Sequence, residues 1–403
     1  MRRTFLGATA IAVLGLVGAA VPAVLRADGV GARGASQRWL VASRSDATSA
    51  QAPRAGQPRP VMTQDVFKSV TVLRDIPVDT FFDAMGMFAN AMGNDCTFCH
   101  VPAAALDRAK FAEVTPRMQR ARGMISMMQA INKSYFAGTP RVTCFTCHHG
   151  NQSPRSDPNI ALQYSTPEED PNARDFTTDP TLSANAIFDK YLQAIGGADP
   201  LARLTSFAAK GTYAGFDTLF EKVPVEIFAK APNQYSTIVH MSAGNSVRTF
   251  DGTSGWMAGP DTPVPLITLS SGNLDRARLE ALVAFPAGLR TAFPHWRLGR
   301  AVLNDEEVVI VQGIDDDRQP LANLYFAPSG LLVRVVRFTL TPVGFVPTQI
   351  DYSDFRDVAG VKIPFHRTVS QTFMQMNVEL TEVQPNAAMD AARFARPAAA
   401  PRP

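Results

Sequence analysis

The sequence predicts an α+β multidomain chain: a small helical domain first, then a curved, half-barrel-like antiparallel sheet domain with a few helices. Three observations lead there. Between residues 61 and 152, apolar residues recur at helical spacing in two stretches. From 181 to 395 the pattern changes to short alternating runs separated by turn residues. Polar segments at 28–60 and 153–180, rich in Pro and Ser, carry no core-forming period and read as linkers. The 403 residues, 46% hydrophobic and 19% charged, are enough for more than one core. A net charge of +3 is too mild to argue for a nucleic-acid partner.

Residues 1–27 read as a signal peptide or an N-terminal anchor. Arg2 and Arg3 form a positive start, and Phe5 to Leu25 is a nearly unbroken apolar run of about 21 residues. Small residues offer cleavage after Ala23 or Ala27; uncleaved, the run is long enough to cross a bilayer. The order Arg2-Arg3-Thr4-Phe5-Leu6 also looks like a twin-arginine signal. The expected location is the periplasm or cell envelope, free or associated with the membrane.

Within 61–152, Asp79 is a candidate N-cap for a helix from Thr80 to Met92, with Phe81, Met85, Phe88 and Met92 on one face. A second helix fits Pro116 to Phe136, where Met124, Met127, Met128 and Ile131 recur at three- and four-residue steps. Each helix precedes a Cys-x-x-Cys-His, so helix–turn–CxxCH occurs twice as a short internal repeat.

Those motifs carry the chemistry. Cys96-Thr97-Phe98-Cys99-His100 and Cys144-Phe145-Thr146-Cys147-His148 contain all four cysteines of the chain. Two thiols three positions apart can add to the two vinyl groups of a porphyrin, and the adjacent His can then turn under the ring to ligate iron. CxxCH is the spacing of covalent haem attachment. A four-cysteine zinc site needs its CxxC pairs about 15–20 residues apart, and Cys99 and Cys144 are much farther. Structural disulfides would leave the two histidines unexplained. The expected cofactors are therefore two haem c, with Cys96, Cys99, Cys144 and Cys147 as attachment points and His100 and His148 as axial ligands. Met85, Met87 and Met92 on the first helix, and Met118, Met124, Met127 and Met128 on the second, are candidates for the opposite axial position. Spacing alone does not choose among them. Met85 and Met124 satisfy the requirement of lying on the ring-facing stripe a turn or more before the loop. His149 is too close to His148 to reach the opposite ring face.

Over residues 62–152 the chain resembles the photosynthetic reaction centre cytochrome c subunit family and its smaller, dihaem relatives. The likeness lies in Phe82-Asp83-Ala84-Met85 and Met92-Gly93-Asn94-Asp95 before the first motif. It is closer in Ala121-Arg122-Gly123-Met124-Ile125-Ser126-Met127-Met128 and in Val142-Thr143 with His149-Gly150 around the second. The resemblance implies Met85 and Met124 as axial ligands. Helix one departs from the pattern, because Met87 stands one position early and the loop to Cys96 is shorter. The family has four haems; this chain has one pair. The resemblance implies an exported electron carrier rather than an enzyme, passing electrons between redox partner proteins through two closely spaced His/Met-ligated haems. The alternatives are a lipid- or quinone-binding periplasmic protein with a redox-active dihaem module, or a dihaem enzyme such as a peroxidase.

Residues 181–395 show no G-x-S-x-G, HExxH or P-loop. Ala184 to Ile195 predicts a helix ended by Gly196-Gly197, and Leu274–Ala284 another. Alternation predicts strands at Phe207–Phe216, Val223–Ala229, Tyr235–Met241, Ser246–Asp251, Glu307–Gln312, Asn323–Phe326, Leu331–Leu340, Thr348–Phe355 and Thr368–Leu380. Hairpins are expected around Asp251-Gly252 and Ala359-Gly360. These features resemble the periplasmic lipoprotein-carrier fold, which implies an apolar cavity for a lipid or quinone. His240, His295 and His366 read as packed or surface residues. The tail from Ala387 is expected to fray, with 396–403 disordered.

Overall fold

The computed structural model describes residues 59–400 apart from 106, 155, 159, 166–172, 177–180, 261 and 263. The expected export segment and most of the 28–60 linker lie outside the described residues. Among the described residues, no helix is long and apolar enough to cross a membrane.

The described residues open with α1 (Thr63–Val66), α2 (Val78–Met92), α3 (Pro116–Tyr135) and the one-turn α4 (Cys144–His148). The first CxxCH begins on a 3-10 turn, Cys96–Phe98. Pro77 sets the extended entry to α2, and Gly93 ends it in the left-handed region at φ 61. Thr115 caps α3 by accepting a bond from Met118 N–H, with Pro116 in the first turn. Further on come α5 (Ile160–Gln163), α6 (Ala184–Ala194), α7 (Ala198–Arg203) and α8 (Ser271–Ala284). Asp175 pairs with Arg300 in an isolated bridge.

Thirteen strands form one antiparallel, curved, unclosed sheet. They are β1 (Ser206–Gly215), β2 (Val223–Lys230), β3 (Gln234–Met241), β4 (Gly244–Phe250), β5 (Gly255–Ala258), β6 (Leu266–Thr268), β7 (His295–Leu303), β8 (Glu306–Ile314), β9 (Pro320–Phe326), β10 (Leu332–Thr341), β11 (Gly344–Val358), β12 (Val361–Ser370) and β13 (Gln375–Pro385). The order is β6-β5-β4-β3-β2-β1-β13-β12-β11-β10-β9-β8-β7. Every neighbour is a sequential hairpin partner except β1 and β13, which join the two halves. The edges β6 and β7 are consecutive in sequence, and α8 connects them. That helix crosses the inner face: Ala277 and Ala281 pack with Phe207 and Ile227, while Leu279 and Leu282 pack with Val311, Leu324 and Val335.

The run read as one strand from Thr368 to Leu380 is two, β12 and β13, joined by a tight turn at Gln371–Met374. Register shifts at the β1–β13 pair, where Lys210 faces Glu382 and Gly211 faces Leu380, leaving Thr381 as the extra residue. Inward residues of β13 therefore change parity, from Met376, Val378 and Leu380 to Val383. A Cβ at Gly211 would lie 2.1 Å from the Glu379 carbonyl oxygen, so the bulge needs glycine there. The tail does not fray from Ala387. Phe394 is buried, and the Arg393 guanidinium stacks over the Phe228 ring at 4.1 Å.

The helical part is packed onto the sheet. Met87 and Phe81 of α2 share a core with Ile125 and Met128 of α3 and with Val343 and Val346 at the β10–β11 turn. A Cβ on Gly86 would lie 2.3 Å from Thr372 Oγ1, so glycine lets the β12–β13 turn rest on α2. Asp79 does not cap the helix. Its buried carboxylate accepts from Ser270 N–H at 2.7 Å and Ser270 O–H at 2.6 Å, and Asp83 accepts from Asn273 at 2.8 Å. Two acids of α2 thus meet the first turn of α8.

Burial raises Asp79 from 3.8 to about 6, against the Ser270 bonds that lower it. A folded value above the unfolded one means stability that is complete below about pH 4 and lost as pH rises through about 6. That difference corresponds to roughly 3 kcal/mol at most. Asp79→Asn keeps a donor and an acceptor for Ser270 without titrating. Thermal unfolding from pH 4 to 7 should show the wild type losing stability relative to this variant; parallel curves would refute the assignment.

Candidate functional site

Each CxxCH turn is built by short local bonds. Asp95 precedes the first and accepts from Thr97 N–H at 2.8 Å and Thr97 O–H at 2.6 Å, which holds its carboxyl below the usual range. Thr143 precedes the second and forms a reciprocal capping box with Thr146. The chain then leaves this turn through His149 and Gly150, both at positive φ.

The two turns are held by each other's helices. Thr115 at the start of α3 donates its hydroxyl to the Cys99 carbonyl at 2.5 Å. Arg117 donates to the Phe98 carbonyl at 2.8 Å and stacks on the Phe98 ring at 4.2 Å. Conversely, Gly150 N–H donates to the Ala91 carbonyl of α2 at 2.9 Å, and Gln152 donates to Asn94. A Cβ on Gly93 would lie 2.3 Å from the Gly150 carbonyl oxygen, so close approach requires glycine. Asn132, buried on α3, accepts from Arg141 and Val142 N–H and donates to the Val142 carbonyl at 2.7 Å, anchoring the strand of chain that enters Cys144.

His100 Nδ1 lies 3.1 Å from the Phe111 carbonyl oxygen, and His148 Nδ1 lies 3.0 Å from the Asn151 carbonyl oxygen. A carbonyl can only accept, so each Nδ1 carries the proton and donates. Each Nε2 then presents its lone pair. This is the tautomer that iron ligation through Nε2 needs, oriented by a backbone acceptor. Burial holds the His100 imidazole below its ordinary value, which favours the neutral form.

No disulfide joins the four cysteines. Burial pushes Cys96 and Cys99 up and Cys144 up to about 11, so these three are neutral at pH 7. Among the described residues no three His, Cys, Asp or Glu side chains converge on one point that could hold a metal ion. The two pairs therefore do not form one tetrahedral site. The donor set at each turn, paired cysteines with an imidazole whose Nε2 lone pair is free, fits a c-type haem.

Those methionines separate by burial. Met87 and Met128 are buried in the helix–sheet core, at 6% and 4% exposure. Met85, Met92 and Met118 are half-buried, while Met124 and Met127 are exposed at 38% and 54%. The buried stripe of α3 runs through Ile125, Met128 and Asn132, leaving Gly123, Met124 and Met127 on its open side. His149 is exposed beside Phe145. His240 bonds Glu226 and Asn245, His295 bonds Asp316, and His366 bonds Ser353, all on the sheet.

Residues 22–192 match the family model described as the photosynthetic reaction centre cytochrome C subunit. The described part of that segment holds α1 to α4 and both CxxCH turns. A photosynthetic reaction center cytochrome c subunit from Thermochromatium tepidum is 27% identical over 136 residues, 31% of this chain and 32% of that one. The chain thus spans about a third of the length of that curated relative. Among solved structures, a LolA superfamily protein from Nitrosomonas europaea is 13% identical, covering 53% of this chain and 98% of that one at TM-score 0.38. A DUF1329 family protein from Desulfovibrio piger is 8% identical, covering 54% and 98% at TM-score 0.37.

A second feature lies under the sheet. A cavity of about 1430 Å³ runs from the inner face of β1–β4 and β12–β13 to α2 and the Cys96 turn. It exceeds the roughly 300–1,000 Å³ of ordinary small-molecule pockets. Its walls include Phe207, Ile227, Val239, Ile267, Leu269 and Ile363. Sequence reading expected a cavity here but missed the arginines that line it.

Proposed function

We propose that this chain is an exported dihaem c-type cytochrome, an electron carrier between redox partner proteins in the periplasm or cell envelope. The observation that carries it is the pair of CxxCH turns whose histidines both donate Nδ1–H to a backbone carbonyl. The match of the segment containing them to the reaction-centre cytochrome family supports it. Cys96 and Cys99, with Cys144 and Cys147, attach the two groups, and His100 and His148 ligate iron through Nε2. Met85 and Met124 would supply the remaining protein ligand to each iron. Met87 is committed to the contact with Val343 and Gly344, which favours Met85. Bound haem c supplies a one-electron iron couple at each turn. The chain's own residues fix ligand tautomers, keep the two turns adjacent and shield them with α2 and α3.

Redox titration of the visible spectrum tests this with Met85→His and Met124→His. Exchange of a thioether for imidazole removes the ligand that raises the potential. Each variant should lower one of two midpoints, by on the order of 100 mV, within the ~0.8 V that axial ligands control. Unmoved midpoints would sink the ligand assignment, and a high-spin, ligand-binding haem in the wild type would revive a peroxidase-like enzyme.

The cavity favours a second, compatible role, binding of an apolar ligand such as a lipid or quinone beside the redox module.

A further inference from the structure

The cavity under the sheet is not apolar throughout. Arg248 on β4, Arg276 on α8 and Arg367 on β12 line it, and Arg337 on β10 stands behind them. Facing them are Glu280 on α8 and Asp79 and Asp83 on α2. Of the four, only Arg276 has a carboxylate within ion-pair distance among the described residues, Glu280 at 2.8 Å. Arg367 donates to Tyr235 O–H, and Arg248 has only the Met257 sulfur at 3.8 Å. Arg248 Nη1, Arg276 Nη1 and Arg367 Nε are buried without any hydrogen-bond partner. Arg276 itself is only 6% exposed.

Buried guanidinium N–H groups without acceptors are costly, and they call for an explanation. The charge balance points the same way. Glu280 is held ionised by Arg276 and Arg248 against its burial, while burial raises both Asp79 and Asp83 toward the neutral form. Four arginines thus outnumber the three carboxyl groups that face them, Glu280, Asp79 and Asp83. Arg248 is pulled down to about 10 by burial and by Arg276 and Arg337. A neutral lipid or quinone would leave this excess cationic charge uncompensated.

We propose that the cavity binds an anionic amphiphile, an acyl carboxylate or acyl phosphate, whose charged head accepts hydrogen bonds from Arg248, Arg276 and Arg367. The acyl chain lies along the apolar inner strands, among Ile227, Val239, Ile267 and Leu269. Exposed Phe216, Leu219 and Phe373 line the same cavity and supply an apolar entrance. This inference rests on the ligand-binding reading of the cavity and adds the head group's charge. It is independent of the haem ligands.

The test uses the full holoprotein and a fluorescent polyene fatty acid, cis-parinaric acid. Saturable binding should be displaced by palmitate or by lysophosphatidic acid. Hexadecanol should displace at least tenfold more weakly, and acetate and inorganic phosphate not at all. Displacement by only one of the two amphiphiles identifies carboxylate or phosphate as the head. Arg248→Met should weaken the probe at least tenfold, and a cooperative thermal transition of the ligand-free variant would show that the fold survives the loss of a charge that helps hold Glu280 ionised. Arg367→Gln should weaken it in the same direction. Equal displacement by hexadecanol and palmitate overturns the proposal on wild-type protein alone, as does displacement by acetate or phosphate. No probe binding in a protein whose haems titrate normally overturns it and leaves the electron-carrier reading standing. Normal binding without haem redox activity would do the reverse.

Discussion

A chain with Cys144→Ala and Cys147→Ala should carry one covalent haem fewer than the wild type, with the remaining group at Cys96 and Cys99. The converse pair should keep only the second haem, and a chain lacking all four thiols should keep none. Intact mass of the exported protein and haem absorbance per chain read this directly. The local structure makes the effects separable. The first turn is set by Asp95 and Thr97, and the second by Thr143 and Thr146. Losing the second haem should also loosen α3. That helix buries only Ile125, Met128 and Asn132, and Met124 and Met127 face outward. Covering those two contributes at most roughly 1.5–3 kcal/mol each. A mass that falls only by the four lost sulfur atoms would reject covalent attachment.

The two CxxCH turns and their helices were legible because their signals are local. CxxCH is five consecutive residues, and both helices announce themselves by 3.6-residue periodicity and, for α3, by Pro116 at its start. The acceptors that orient His100 and His148 were not legible. They are backbone carbonyls of Phe111 and Asn151, and a carbonyl leaves no trace in residue type. Asn132 was hidden for a related reason: an Asn inside a helix looks like a weak helix former until Val142 is seen beside it.

In the sheet, alternation found the long strands. It missed β6, which is short, and β7, which is exposed at alternate positions, and it reached β5 only through the hairpin expected at Asp251-Gly252. It merged β12 with β13 because Gln371-Thr372-Phe373-Met374 contains none of the usual turn residues. The arginine cluster could not be read at all. Arg248, Arg276, Arg337 and Arg367 come from four separate elements, and only the β1–β13 closure and the crossing of α8 bring them together. Asp79 shows the same limit in one residue. Its position before a helix mimics a cap, yet its partner Ser270 lies 191 positions away.

Arg337→Leu should destabilise the protein by several kcal/mol, because it removes three buried hydrogen bonds from a charged donor, each contributing roughly 1.5–3 kcal/mol. Arg337 is 3% exposed. It donates to the Gly272 carbonyl in the first turn of α8, to Thr339 O–H at 2.5 Å and to Thr348 O–H at 3.2 Å. It also offers Asp83 its strongest stabilising charge, though burial still wins and raises that carboxyl. Removing the guanidinium therefore releases α8 from β10 and leaves Asp83 uncompensated, at the point where α2 meets α8. Denaturant unfolding of Arg337→Leu, Asp83→Asn and the double variant separates these two costs. If Asp83 carries part of the penalty, the double variant should recover about 0.5–3 kcal/mol relative to the sum of the singles. Strict additivity would assign the whole loss to the Gly272, Thr339 and Thr348 bonds. In that case Arg337 acts as a staple between the crossing helix and the sheet, and Asp83 depends on Asn273 alone.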